Sequence, residues 1–123
     1  MGKLVETIFS LENKNLNQLS FIFCSDEELL ELNRKHLDHD FYTDILTFDL
    51  SENDDSITSE IYISTDRVQE NAKHLKIPFL HELSRVIIHG ALHLCGYRDK
   101  KKSEISLMRQ KEDHYLRLSG NSV

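Results

Sequence analysis

Apolar residues recur along this chain with two periods, and the alternation between them sketches the fold. Leu4, Val5, Ile8 and Phe9 fall at helical spacing and predict a short amphipathic helix over residues 3–12. A polar loop follows, and residues 19–24 (LSFIFC) read as a buried strand. Ser25, with Glu28 three positions on, forms a capping box that opens a helix carrying Leu29, Leu30 and Leu32 to about residue 36. After a polar loop, residues 45–50 predict a strand. An acidic, turn-rich stretch then leads to 60–64, where Ile61 and Ile63 share one face, so the two strands should form an antiparallel hairpin.

Ser64 or Thr65 then caps a helix to about residue 75, with Val68, Ala72 and Leu75 facing inward. Pro78 separates it from the most apolar segment, residues 79–94, which should be a helix buried in the middle of the domain and lying across the sheet. Ser103, with Asp99 nearby, is placed to cap a last helix whose stripe includes Ile105, Leu107, Met108, Tyr115, Leu116 and Leu118, and residues 119–123 read as a frayed tail. The expectation is one α/β (α+β) domain over 1–123, a small mixed sheet covered by helices.

Composition narrows the function classes. No apolar run approaches a membrane span, the start does not read as a signal peptide, and Cys24 and Cys95 make no disulfide framework, so a cytoplasmic protein is expected. A net charge of −6 argues against a general polyanion binder. The distribution is more telling: 12 of the 21 acidic residues lie between Asp26 and Glu60, whereas from Arg85 onward eight Lys/Arg face four Asp/Glu. Arg98, Lys100, Lys101 and Lys102 crowd one loop, either as a solvated helix entry or as phosphate contacts.

The chemistry concentrates in residues 89–99, HGALHLCGYRD. Histidines four apart on a helix return to within about 40° of the same direction, so His89 and His93 share a face. Gly96 falls where the helix should stop by entering the left-handed region, and the reversal would carry Asp99 back as a third ligand. Two histidines and a carboxylate that leave a coordination position open are a catalytic zinc pattern, although non-haem iron uses the same set. Packed or capping histidines are the bland alternative, yet unpaired imidazoles in so apolar a helix would be costly. Glu82 and Arg85 lie on the same face, either supporting the site or paired with each other. Cys95 should face the core, and His36, His39, His74, His81 and His114 read as surface residues. A His-Glu-x-x-His peptidase carries its general base at position 90, where this chain has Gly90. Any base must therefore come from the metal's own water, the substrate or a carboxylate elsewhere.

The string His89-Gly-x-Leu-His-Leu-x-Gly-Tyr97 resembles the signature of the YbeY-type rRNA maturation factors, a family of metal-dependent endoribonucleases. Leu32-Asn33 with Tyr42-Thr43-Asp44-Ile45-Leu46-Thr47-Phe48, and Glu60-Ile61-Tyr62-Ile63-Ser64, resemble two further family segments in the same order. The resemblance implies one zinc ion (Zn2+), cleavage of single-stranded RNA, processing of the 3′ end of small-subunit rRNA on the small ribosomal subunit, and ribosome quality control. By matching positions His89 and His93 would be ligands. The family string usually ends Gly-Tyr-Asp-His, so Asp99 stands at the third ligand position and lowers the site's charge by one. A family arginine has Leu37 at its position, so that role is vacant or falls to Arg85 or Arg98, and the chain opens on a helix where the family has a first strand. The catalytic candidates are then Arg85, Glu82 and Arg98, with Tyr97 or Phe41 as a platform for an unstacked base. A ribosome-assembly factor with a structural metal is the second reading, and a zinc peptidase the third.

Overall fold

The computed structural model describes residues 2–37, 43–53 and 55–119. Its elements run α1 (Gly2–Leu11), β1 (Leu16–Cys24), α2 (Asp26–Leu37), β2 (Ile45–Asp49), β3 (Ile57–Ser64), α3 (Thr65–Leu75), α4 (Phe79–Leu94) and α5 (Lys102–Leu118). The mixed α/β class expected from the periodicities is the one observed. The sheet has three strands in the order β1-β3-β2, with β1 parallel and β2 antiparallel to β3. The predicted hairpin forms with Leu46 opposite Tyr62 and Thr47 opposite Ile61.

Two of the three predicted caps act where the sequence places them. The Ser25 hydroxyl accepts from the Glu28 amide at 3.1 Å, while the Glu28 carboxylate accepts from the Ser25 amide at 2.8 Å. Ser64 caps α3 by accepting from the Arg67 amide at 3.1 Å. Leu75, expected to face inward from α3, is 54% exposed, and Ile105, Leu107 and Leu118 of the expected α5 stripe also stand at the surface, because the helices on this side have no further layer to pack against among the described residues. Two other expectations change. The strand expected at 19–24 begins at Leu16 and is an edge, with Phe23 51% exposed, because only β3 pairs with it. Ser103 does not start α5. The helix begins one residue earlier, where the Glu104 carboxylate accepts from the Lys100 and Lys101 amides at 3.2 and 2.9 Å.

The core lies between one face of the sheet and α1, α4 and α5, with Ile8, Phe9, Ile61, Ile63, Ile88, Ala91, Leu92 and Tyr115 buried in it. Helix α2 covers the opposite face, where the His36 ring meets Phe48 edge-on at 5.6 Å. Gly90 sets how closely α4 approaches the sheet. A β-carbon there would stand 2.8 Å from Ile45 Cδ1 and 3.0 Å from Ile61 Cδ1. Position 90 thus presses on the sheet, which explains physically why no side chain stands beside His89.

Candidate metal centre

Helix α4 ends as the glycine predicts. Gly96 takes φ +106°, its amide donates to His93 O at 3.0 Å, and the Tyr97 amide reaches back to Leu92 O at 3.0 Å. These two bonds satisfy the last carbonyls and turn the chain back along the helix. Asp99 consequently arrives beside both histidines, its Oδ2 3.2 Å from His89 Nε2 and 3.3 Å from His93 Nε2. Ligand atoms of His89, His93 and Asp99 all lie within 4.8 Å of one another.

The other ring nitrogens decide the tautomers. His93 Nδ1 lies 3.0 Å from the Tyr97 carbonyl, which can only accept, so that nitrogen carries the proton. His89 Nδ1 donates likewise to Glu112 Oε2 at 2.6 Å. Both Nε2 atoms are left facing Asp99, and in the neutral rings their lone pairs would be free for a divalent metal.

Glu112, on α5, was not singled out by the sequence reading. It is 4% exposed and also accepts from Arg85 Nη1 at 2.9 Å, while Arg85 Nη2 donates to Asp113 at 3.1 Å. Burial alone would raise the Glu112 carboxyl, but its bonds from His89 and Arg85 outweigh that and hold it below its ordinary value. Burial likewise opposes the His89 imidazolium, and Glu112 reverses the balance to raise it. Arg85 therefore braces Glu112 and α5 through its fork rather than pairing with Glu82. The one available signal was a charge on an apolar stripe: Glu112 falls four residues after Met108 and three before Tyr115.

The cluster opens on a cleft of about 270 Å³ whose lining includes Asp44, Glu82, Arg85, His89, Asp99 and Arg109. Glu82 is 6% exposed, its Oε1 has no hydrogen-bond partner among the described residues, and desolvation raises its carboxyl despite nearby Arg85. Asp44, just before β2, is also raised by burial, against the opposing field of His89. It sits in the segment already noted for its family likeness, where no role was given to it.

Arg98 is exposed and lines a separate depression with Glu12 and Tyr97, not the cleft. Lys100 and Lys101 are exposed and do not line the cleft either. The Tyr97 hydroxyl is committed to Glu12 Oε1 at 2.7 Å and its ring lies under the Lys111 ammonium, so it packs the helix end. Phe41, the other aromatic candidate, lies outside the described residues. Cys95 is buried as expected, its thiol pushed up to about 12 by desolvation.

Two imidazoles and a carboxylate converging beside an acidic cleft have the donor set of a mononuclear hydrolytic metal site. The family model described as Endoribonuclease YbeY matches residues 1–120, and the chain belongs to that family. It is 49% identical over 114 residues to the endoribonuclease YbeY of Flavobacterium psychrophilum, covering 93% of this chain and 81% of the relative. The Cytophaga hutchinsonii protein of the same name is 50% identical over 114 residues, with 93% and 80% covered. Among solved structures, TM1509 from Thermotoga maritima superposes with a TM-score of 0.66 at 31% identity, covering 98% of this chain and 83% of that one. No helix among the described residues is long and apolar enough to cross a membrane.

Proposed function

We propose that this protein is a zinc-dependent endoribonuclease that cleaves single-stranded RNA. Its place would be the cytoplasm, in maturation of the 3′ end of small-subunit rRNA and in ribosome quality control. The observation that carries the reading is the convergence of two imidazole Nε2 atoms and a carboxylate oxygen, each histidine pinned through Nδ1, at the edge of an open cleft. Membership of the endoribonuclease YbeY family supports the substrate class.

His89, His93 and Asp99 would hold the ion, and their nitrogen and oxygen donors fit zinc. Zinc supplies Lewis acidity to a phosphodiester when bound. Glu112 keeps the His89 ring oriented and its proton on Nδ1, and Arg85 is a positioning residue that acts through Glu112. Glu82 is suited to hold and pass on a proton within the cleft, since burial favours its protonated form and its Oε1 bonds no other described residue. Gly90 faces the sheet, so a peptidase base cannot be built at that position.

The test pairs zinc content by mass spectrometry with cleavage of a single-stranded RNA and of an unstructured peptide, for wild type, His93→Ala and Asp99→Ala. Wild type should carry one zinc and cleave only RNA, and both variants should lose metal and cleavage together. Unchanged RNA cleavage by metal-free His93→Ala would sink the proposal. Bound zinc without any RNA cleavage, with a lower melting temperature in Asp99→Ala, would support the assembly-factor reading instead.

A further inference from the structure

The cleft contains Asp44, Glu82, Asp99 and Glu112, so an RNA strand approaching it meets four carboxylates. A polyanion needs a cation there besides the metal. The basic run expected to provide it does not line the cleft, as Arg98 occupies another depression and Lys100 and Lys101 stand outside. Among the described residues two arginines do line it, Arg85 and Arg109.

Their situations differ. The Arg85 side chain is 18% exposed and donates from both terminal nitrogens, to Glu112 at 2.9 Å and Asp113 at 3.1 Å. Turning it toward a ligand would break two charged hydrogen bonds and uncover a buried carboxylate. The Arg109 side chain is 61% exposed, and it approaches Glu112 Oε1 at 3.5 Å. That oxygen already accepts from Arg85 at the shorter distance, while Oε2 is held by His89. Arg109 can therefore swing away at little cost to Glu112. A single carboxylate separates its guanidinium from the His89 ring, so it stands at the cleft within a short reach of the metal cluster.

We infer that Arg109 is the phosphate-binding residue of this cleft, gripping a phosphodiester of the RNA strand beside the metal centre while Arg85 stays locked in the scaffold. The guanidinium fork matches two phosphate oxygens, and an exposed arginine exchanges solvent and a weak ion pair for that contact. The inference rests on the RNA substrate proposed above.

The test measures RNA cleavage by zinc-loaded wild type, Arg109→Ala, Arg109→Lys and Arg98→Ala, with zinc content determined for each and KM followed against salt. Lys73→Ala, on the exposed face of α3, controls for loss of one positive charge. Arg109→Ala should raise KM about tenfold with kcat nearly unchanged, and should flatten the salt dependence by about 0.7 in log–log slope, the share of one phosphate on a single strand. Arg109→Lys should recover part of the KM, and zinc content should not change. Unaltered KM and salt slope in Arg109→Ala would overturn the inference, as would the same effect appearing in Arg98→Ala instead. A loss traced to reduced zinc would overturn it too, since Arg109 would then act through Glu112 on the metal. Failure of wild type to cleave or bind RNA would reject the substrate reading itself, an outcome distinct from any variant's behaviour.

Discussion

Replacing Glu112 with Gln is the sharpest probe of this site, because the change is isosteric and removes only a charge. In the wild type one carboxylate accepts from His89 Nδ1 at 2.6 Å and from Arg85 Nη1 at 2.9 Å while almost fully buried. A glutamine has one acceptor oxygen, so it can serve the histidine or the arginine but not both. If it turns its amide nitrogen to His89, the Nδ1 proton has no acceptor and the ring is free to rotate or to change tautomer. Loss of such a supporting partner typically weakens metal binding 10- to 100-fold, about 1.4–2.8 kcal/mol. The apoprotein should also lose about 2 kcal/mol, the order of one hydrogen bond to a charged group, since Arg85 retains Asp113. For a domain of this size that is a fall of roughly 6–10 °C in melting temperature. Zinc affinity is read by competition with a chromophoric chelator, and apoprotein stability by thermal melting in excess chelator. Zinc binding within twofold of wild type, in a variant whose melting temperature has dropped, would refute the argument that Glu112 sets the His89 tautomer.

Three further outcomes follow from the geometry. The Glu82 carboxyl is raised by burial, so any stability linked to its protonation is present below its unfolded value and lost as pH rises through the folded one. Asp44 and Glu112 reinforce the shift while Arg85 and Arg109 oppose it. Glu82→Gln should therefore gain stability relative to wild type progressively as pH rises above the ordinary carboxylate range, with no gain below it, in urea melts across a pH series, while losing RNA cleavage. Gly96→Ala should cost about 1–2 kcal/mol and weaken zinc binding, because φ is +106° and the same turn delivers Asp99. Its added methyl would touch nothing, so a melt showing no loss would argue against backbone strain. Gly90→Glu should cost more than about 3 kcal/mol and show no peptide cleavage, since the new side chain would drive a charge into Ile45 and Ile61. A variant that melts like wild type would refute the close packing of α4 on the sheet.

The local code of this chain was legible from its sequence because it depends on neighbours within a turn or two. Helical spacing placed His89 and His93 on one face. Gly96, the residue that tolerates positive φ, ended the helix where Asp99 could return. The Ser25 and Ser64 caps and the β2–β3 hairpin are short-range matters of the same kind. Contacts between segments distant in the chain leave no such periodicity, and the tertiary structure alone decided them. It brought Glu112 from α5, 23 residues on, against His89, and gave Arg85 to Glu112 and Asp113 instead of Glu82. It made β1 an edge, turned Arg98 away from the cleft, and set Arg109 in its lining. Gly90 shows the division most plainly. In the sequence it is a missing general base, and in the fold it is the place where α4 comes too close to the sheet for any side chain to fit without displacing Ile45 and Ile61.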